Sequence, residues 1–346
     1  MADLRVNDVL RHLWSRERLR IEGWRPSRIQ QALRRGDLRR VRHGWYVVTD
    51  FWDGLHPRQQ HLVEIVAAAC EMRGGGVVVS HLSAAVLHGF PLVGARPERV
   101  HVTLPGEVGA SGTGDVARHR LALDEEDITV VDGIRCTGVE RTLFDVARSE
   151  PAERAIAILD AGLAAAALDH RAIDEEKETA WRSALLRRVV DARGARGLRR
   201  GAWLIGFADG RAQLPGESLS RLQLHRLGYA PRLQVPVANP AGGWWWMDFA
   251  LDEAKVFGEF DGRGKYLDSE MRAGRTAEEV VLDEKRREDG VRGVTGWRIV
   301  RWGMAEVRSP DALAKHLAAF HVPLPPSNDV VSSRAHGIQR KPVSFR

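Results

Sequence analysis

The sequence predicts an α/β chain of the α+β, multi-domain kind, and three observations predict it. Its 346 residues exceed one typical domain and point to two or three. Segments with helical apolar spacing interleave with short apolar runs of strand length. The composition also changes in blocks. Residues 1–50 are basic and punctuated, and 51–168 read as a mixed α/β middle domain. Residues 169–213 are charged and then Gly/Arg-rich, with the run Arg193-Gly-Ala-Arg-Gly-Leu-Arg-Arg-Gly201, and read as a linker helix and loop. Residues 214–320 form another compact unit. The tail, 321–346, with Pro323, Pro325, Pro326 and a basic end, is expected to be disordered.

Hydrophobic residues make up 44% of the chain and charged residues 28%, enough apolar surface for real cores. No run approaches the ~18 apolar residues that a membrane span needs; Ala161–Leu168 is far too short. The start, Met1-Ala-Asp-Leu-Arg5, lacks an apolar signal core, so a cytoplasmic protein is expected. Two cysteines, Cys70 and Cys136, cannot make a disulfide framework or a cysteine-rich zinc site. The net charge of +6 favours an anionic partner, and where that charge sits matters more than its sum.

The charge concentrates near the N-terminus. Val6–Trp14 has helical spacing. Pro26 and Ser27 open a second helix, Ile29, Ala32 and Leu33 give it an apolar face, and Gly36 ends it. Leu38–Val48 then reads as two short strands turning at His43-Gly44. Helix, helix and basic hairpin make a winged helix-turn-helix. Arg28, Gln30, Gln31, Arg34 and Arg35 on the helix carry the donors and acceptors that base edges in double-stranded DNA require. Arg39, Arg40, Arg42 and His43 on the hairpin reach phosphates or the minor groove. Only Asp37 opposes this charge between residues 28 and 43. The alternative is a solvated basic face on a module that binds protein.

Four segments carry a resemblance. They are Ala32-Leu-Arg-Arg-Gly-Asp-Leu-Arg-Arg-Val-Arg-His-Gly-Trp-Tyr46, Val79-Ser-His-Leu-Ser-Ala-Ala-Val-Leu-His-Gly-Phe-Pro91, Val100-His-Val-Thr-Leu-Pro105, and Gly133–Arg148. In this order, over about residues 5–168, they resemble the AbiEi-like antitoxins of type IV toxin–antitoxin systems. That resemblance implies a first domain that represses its own operon. It also implies a second domain associated with neutralising a nucleotidyltransferase-type toxin. Read from its residues alone, the middle segment offers little chemistry. His81 and His88, seven apart, share a helix face and are expected to be structural, since no carboxylate lies at ligand spacing between them. Arg141 and Asp145, four apart, are expected to pair.

The last unit opens with a helix, Gly216–Gly228, followed by strands at Arg232–Val237, Trp244–Leu251 and Lys255–Asp261. A basic helix then spans about 276–292, a strand Trp297–Trp302, and a final helix about 310–320. Helix, three strands, helix, strand is the αβββαβ core of PD-(D/E)XK restriction-endonuclease-like proteins. Acidic residues occupy strand positions that should be apolar. Glu259 and Asp261, two apart, share a face, and pairing through the 252–254 turn brings Asp248 beside Glu259. Clustered carboxylates are costly to bury without a cation between them. Mg²⁺ is the fitting ion, with Glu217 as an additional ligand or metal-water contact; the alternative is that Asp248 caps a strand end and Glu259 pairs with Arg263 or Lys265. The usual lysine two residues after the acid is missing, because Asp261 stands there; Lys265 or Lys285 could supply the charge from a displaced position. Trp244–Trp246 either stack on bases or pack in the core.

Gly216-Glu-Ser218, Met247-Asp-Phe249, Gly258-Glu-Phe-Asp-Gly262, Glu284–Asp289 and Gly296–Trp302 resemble a Vsr-like branch of the PD-(D/E)XK superfamily. That resemblance implies metal-dependent DNA cleavage, with Asp248 and Glu259 as metal ligands and Asp261 alongside. The Glu-x-Asp order departs from the usual motif. Three functions are therefore open: an antitoxin-like repressor with a nuclease-like appendage, a Mg²⁺-dependent endonuclease targeted by its winged helix, and an inactive scaffold whose middle domain binds a toxin.

Overall fold

Apolar faces sort the chain into two units in the computed structural model, which describes residues 4–72, 76–104, 114–119, 123–262 and 277–325. The first unit holds residues up to Ala167 together with Asp174–Ala208; the second holds Leu168–Ile173 and the chain from Asp209 onward.

The first unit opens with α1 (Val6–His12), β1 (Trp14–Ser15), α2 (Arg16–Ile21), α3 (Pro26–Arg35), β2 (Leu38–Arg42), β3 (Trp45–Val48), α4 (Thr49–Asp53) and α5 (Pro57–Glu71). Pro26 starts α3, and Gly36 stops it in the left-handed conformation at φ 81°, as the turn chemistry predicts. Ile29 and Ala32 of α3 pack with Leu19, Leu38 and Tyr46 in a small core. The module does not close on itself, however. Val6, Val9 and Leu13 bury against Leu62, Val63 and Val66 of α5 in the main cluster of the unit. The boundary expected at residue 50 is therefore absent. The apolar face of α1 is too large for so short a module to cover, and α5 covers it.

There follow β4 (Val78–Val79), α6 (His81–Leu87), β5 (Val100–Thr103), β6 (Val116–His119), β7 (Ile128–Val131), β8 (Ile134–Thr137), α7 (Val139–Ser149) and α8 (Ala152–Ala167). The strands form one sheet in the order β6-β5-β4-β8-β7. Cys136 is buried in it, where burial pushes its thiol up to about 12, as befits a core residue.

After a short hairpin, β9 (Leu168–Asp169) and β10 (Ala172–Ile173), come α9 (Glu175–Asp191) and α10 (Leu198–Phe207). These two helices correct the linker expected over 169–213. Leu185, Leu204 and Ile205 are fully buried, and Gly201 packs on the backbone of Ala147 and Arg148. Gly197 sits at φ +81° where a Cβ would lie 2.0 Å from the carbonyl oxygen of Arg148, so only glycine fits. Arg182 of α9 donates to the carbonyls of Ile205, Gly206 and Ala208, meeting acceptors that the end of α10 leaves open. A charged helix with few buried positions looks like a connector in sequence; its few apolar residues are nevertheless core.

The second unit contains α11 (Pro215–Arg226), β11 (Arg232–Ala238), β12 (Trp244–Leu251), β13 (Val256–Phe260), α12 (Ala277–Thr295), β14 (Arg298–Trp302) and α13 (Pro310–Ala319). The element order is the one expected. The sheet runs β11-β12-β13-β14, antiparallel except for the parallel pair β13–β14. One face carries Val235, Val237, Met247, Ala250 and Phe257, which cluster with Val291 of α12 and with Trp245 and Ile299. On the other, Phe249 stacks on Trp302, whose Nε1 donates to Ser220 Oγ at 2.8 Å. Met247 and Ala250 share a face although they are three residues apart, which a regular strand forbids. The irregularity lies at Asp248, opposite Gln234, which takes φ 49°. Val322 is buried and Tyr229 donates to the carbonyl of Pro323 at 2.6 Å, so ordered chain runs past the boundary expected at 320; residues 326–346 lie outside the described residues.

Gly258, in mid-strand, accepts no side chain: a Cβ would lie 2.1 Å from the Trp302 ring. Gly258→Ala is expected to cost about 1–3 kcal/mol by overpacking, read as a lower urea midpoint at unchanged slope.

Candidate functional site

The N-terminal module exposes all but one of the polar side chains singled out from the sequence. Ile29 and Ala32 face inward, so Arg28, Gln30, Gln31, Arg34 and Arg35 of α3 are exposed, as are Arg39, Arg40 and His43. The Arg28 guanidinium lies 4.1 Å from the Trp24 ring centroid, a stack that stiffens the start of α3. Arg42 is the correction. The ladder slips between Arg40 and Arg42, so Arg40 faces Tyr46 and Arg42 faces Trp45. One inserted residue sends every later side chain to the other face. Arg42 is therefore turned inward, 11% exposed, with Nε 2.7 Å from Glu71 Oε2 and 3.5 Å from Asp115 Oδ2. It fastens the hairpin to α5 and is withdrawn from the surface. Arg39 lies over the Trp52 ring at 4.9 Å, which fixes its stem while leaving it exposed.

The carboxylates of the second unit converge in part. β12 and β13 pair through Phe249↔Gly258, which sets Asp248 opposite Glu259; Asp248 Oδ2 accepts the N–H of Phe260 at 2.9 Å. Glu259 pairs in register with Arg301 of β14. Its side chain is held by two arginines. Arg287 Nη2 lies 2.6 Å from Glu259 Oε1 and 2.8 Å from Oε2, and Arg301 Nε lies 3.1 Å from Oε2. Glu284 shares Arg287 Nη2 at 2.7 Å and Arg301 Nη2; Glu288 takes Arg301 Nη1 at 3.0 Å.

Burial pushes the Glu259 carboxyl up and Asp248 adds to the rise, against the pull of Arg287 and Arg301. Burial alone would lower Arg287, but Glu284 and Glu259 hold it above its ordinary range. Glu284, drawn down by the same arginines against burial, stays ionised.

None of the remaining expected members is bonded to the arginine clasp among the described contacts. Glu217 is buried, but its Oε2 accepts the N–H of Gln213 at 2.9 Å and the Gln234 amide at 3.4 Å, one strand beyond Asp248. A glutamate at the third position of α11 closes back on the chain that enters the helix. Lys285 is exposed on α12, whereas Glu284, Arg287 and Glu288 face the sheet. Asp261 follows β13 half-buried. Lys265 lies outside the described residues. Among the described residues no group of three or more His, Cys, Asp or Glu side chains is placed to hold a metal ion. Both oxygens of Glu259 are engaged by guanidinium groups, so the donors as arranged do not fit Mg²⁺, which needs near-octahedral oxygen ligation. The three tryptophans divide: Trp244 is 61% exposed, Trp245 packs in the core, and the Trp246 ring lies 4.8 Å from the Arg171 guanidinium.

Sequence reasoning missed two features. The first is the arginine clasp, which needs partners 28 and 42 residues from Glu259. The second is a histidine cluster in the first unit, buried at His61 and His81 and half-buried at His101 and His119. His81, at φ 53°, stacks on His119 with ring centroids 3.6 Å apart; His119 Nε2 meets His101 Nδ1 at 3.1 Å. Beside them His61 Nε2 is 2.9 Å from Ser83 Oγ, and its Nδ1 is 3.1 Å from Glu64 Oε2. Ser–His–Glu is the order of an activated nucleophile. Here, however, Ser83 and His61 are fully buried, and Ser83 Oγ also accepts the N–H of His101 at 2.9 Å. The chain of bonds ties α5, α6 and β5 together. Burial lowers all four histidines, His61 to about 3 and His101 to about 4, so they are neutral at pH 7. His88 is structural, as expected, with Nε2 2.7 Å from the Thr137 carbonyl. Arg141 and Asp145 pair at 2.9 Å, also as expected, and Arg141 reaches Asp127 at 2.6 Å.

Residues 77–207 match the AbiEi antitoxin C-terminal domain, and the chain belongs to one family with two uncharacterized mycobacterial proteins. The uncharacterized protein Rv2248 of Mycobacterium tuberculosis (strain ATCC 25618 / H37Rv) is 30% identical over 253 residues, 69% of this chain and 87% of that protein. MT2308 of strain CDC 1551 / Oshkosh, also uncharacterized, matches to the same extent. The crystal structure of the RV2827C protein from Mycobacterium tuberculosis aligns with a TM-score of 0.33 at 17% identity, over 58% of this chain and 79% of that one. Among the described residues no helix is long and apolar enough to cross a membrane.

Proposed function

We propose that this protein is a DNA-binding regulator of the antitoxin type, whose α1–β3 segment is a winged helix that docks α3 in the major groove of double-stranded DNA. The observation that carries this reading is the segregation on α3. Ile29 and Ala32 are buried, and every Arg and Gln of the helix is exposed, the donor set that base edges take. The hairpin contributes Arg40 and His43 to phosphates, and Arg42 serves only to hold it. The partner neutralised by the AbiEi-type domain is a nucleotidyltransferase-type toxin. In a mobility-shift titration on the gene's own upstream region, Arg34→Ala with Arg35→Ala is expected to weaken binding at least tenfold, about 1.4 kcal/mol, and to flatten the salt dependence. Arg42→Ala is expected to lower stability and leave the flatter salt dependence unreproduced. Equal affinity of wild type and the Arg34/Arg35 variant would remove α3 from the interface.

The second unit is an αβββαβ core of the PD-(D/E)XK, Vsr-like type, and the reading favoured for it is binding without cleavage. The arginine clasp on Glu259 supports this, because it engages the carboxylate that a hydrolytic metal would use. Supercoiled plasmid incubated with Mg²⁺ is expected to stay intact. Nicking by wild type that Asp248→Ala abolishes would restore the nuclease reading.

A further inference from the structure

The clasp has an unusual centre. A single nitrogen, Arg287 Nη2, has three carboxylate oxygens within 2.8 Å: both of Glu259 and Oε1 of Glu284. It straddles the two Glu259 oxygens almost evenly, at 2.6 and 2.8 Å, where a cation bound in bidentate fashion would sit. A guanidinium is planar and offers two protons at that nitrogen, so this crowding reflects charge more than hydrogen-bond geometry. The surrounding charge agrees. Among the described residues, Glu259, Glu284 and Glu288 share two guanidiniums, Arg287 and Arg301, and Asp248 adds its charge beside Glu259. Arg301 keeps its own places, on Glu259 Oε2 at 3.1 Å and Glu288 Oε2 at 3.0 Å. It would hold the carboxylates together if Arg287 were gone.

We infer that the Arg287 guanidinium is the built-in cation of this site, standing where a divalent metal would bind between Glu259 and Glu284, and that removing it creates a Mg²⁺/Mn²⁺ site. This rests on the non-cleaving reading of the second unit. The donor set left behind is three carboxylate oxygens from two residues, with Asp248 across the strand. All are hard oxygen donors, which suit these ions and not softer ones. Glu284 becomes a ligand by virtue of its place on α12, facing the sheet beside Arg287. The strand motif alone does not predict it.

The test uses the full-length protein and Mn²⁺, with binding read from loss of the free-ion paramagnetic resonance signal. Wild type is expected to bind no Mn²⁺ dependent on Asp248 or Glu284. Arg287→Ala is expected to gain one Mn²⁺ site that wild type lacks; Arg287→Lys, which keeps a cation, is expected to gain none. Adding Glu284→Gln to Arg287→Ala is expected to abolish the gain. Should Arg287→Ala fail to fold alone, refolding by millimolar Mn²⁺ supports the inference, since a ligand that binds only the native state stabilises it, and failure to refold overturns it. Wild type binding Mn²⁺ through Glu284 overturns it too, as does a folded Arg287→Ala that binds none. Plasmid nicking is scored separately, so an active nuclease would sink the reading of the unit independently of what Arg287 does.

Discussion

Acidification from pH 7 to about pH 4.5 is expected to remove several kcal/mol of stability from the first unit. An unfolded histidine titrates near 6.5. In the folded unit burial lowers His61 to about 3 and His101 to about 4, and lowers His81 and His119 as well. Below pH 6.5 the unfolded chain therefore binds protons that the folded one does not, and stability falls as pH falls. Each such group costs about 1.4 kcal/mol per pH unit, so His61 and His101 together cost about 5 kcal/mol by pH 4.5. His81 and His119 add in the same direction. The loss saturates only below the folded values, near pH 3 to 4. The main cause is burial, which strips water from a charged imidazole; the neighbouring imidazoles and, at His81, Arg148 and Arg141 add like charge, while Asp145 opposes the shift at His119. Hydrogen exchange of peptides from α6 and β5, corrected for intrinsic rates, measures this. Protection that holds constant from pH 7 to 4.5 would refute it.

Asp145→Ala is expected to destabilise the first unit by about 3–5 kcal/mol. Asp145 is fully buried on α7, accepts from Arg141 Nε at 2.9 Å and lies 3.2 Å from Arg148 Nε. Arg141 is itself buried and also holds Asp127, which Arg188 of α9 meets at 2.8 Å. Removing the carboxylate leaves a buried guanidinium short of its countercharge, a larger cost than the pair's net worth. Asp145→Asn keeps the shape and some hydrogen bonding, and is expected to cost less. Urea unfolding of the two variants orders them, and equal midpoints for wild type and Asp145→Ala would show that Asp127 alone neutralises Arg141.

Much of this was legible along the chain. The start and stop of α3, the spacing of Arg141 and Asp145, and the order helix, three strands, helix, strand all rest on local rules: caps, one helical turn, alternation. Those rules act over four residues or fewer. They failed where a distant element decides. Arg42 reads like its neighbours until a one-residue slip in the hairpin turns it toward Glu71. Residues 175–207 read as a connector because charge dominates them, while Leu185, Leu204 and Ile205 are core.

The candidate carboxylate site divides in the same way. That Asp248 and Glu259 would meet follows from a short turn between two strands, so the sequence alone determined it. That Glu259 would meet arginines, and not a lysine two residues on, depended on a parallel strand and a helix that arrive some 28 to 42 residues later. Only the tertiary structure decided which positive charge the buried carboxylate would have. The histidines at 61, 81, 101 and 119 likewise share no spacing; three of them come together because α6 and two strands pack at one sheet edge, and His61 joins them through Ser83. A charge can be read from its residue type, but the work it does depends on what surrounds it once water is gone.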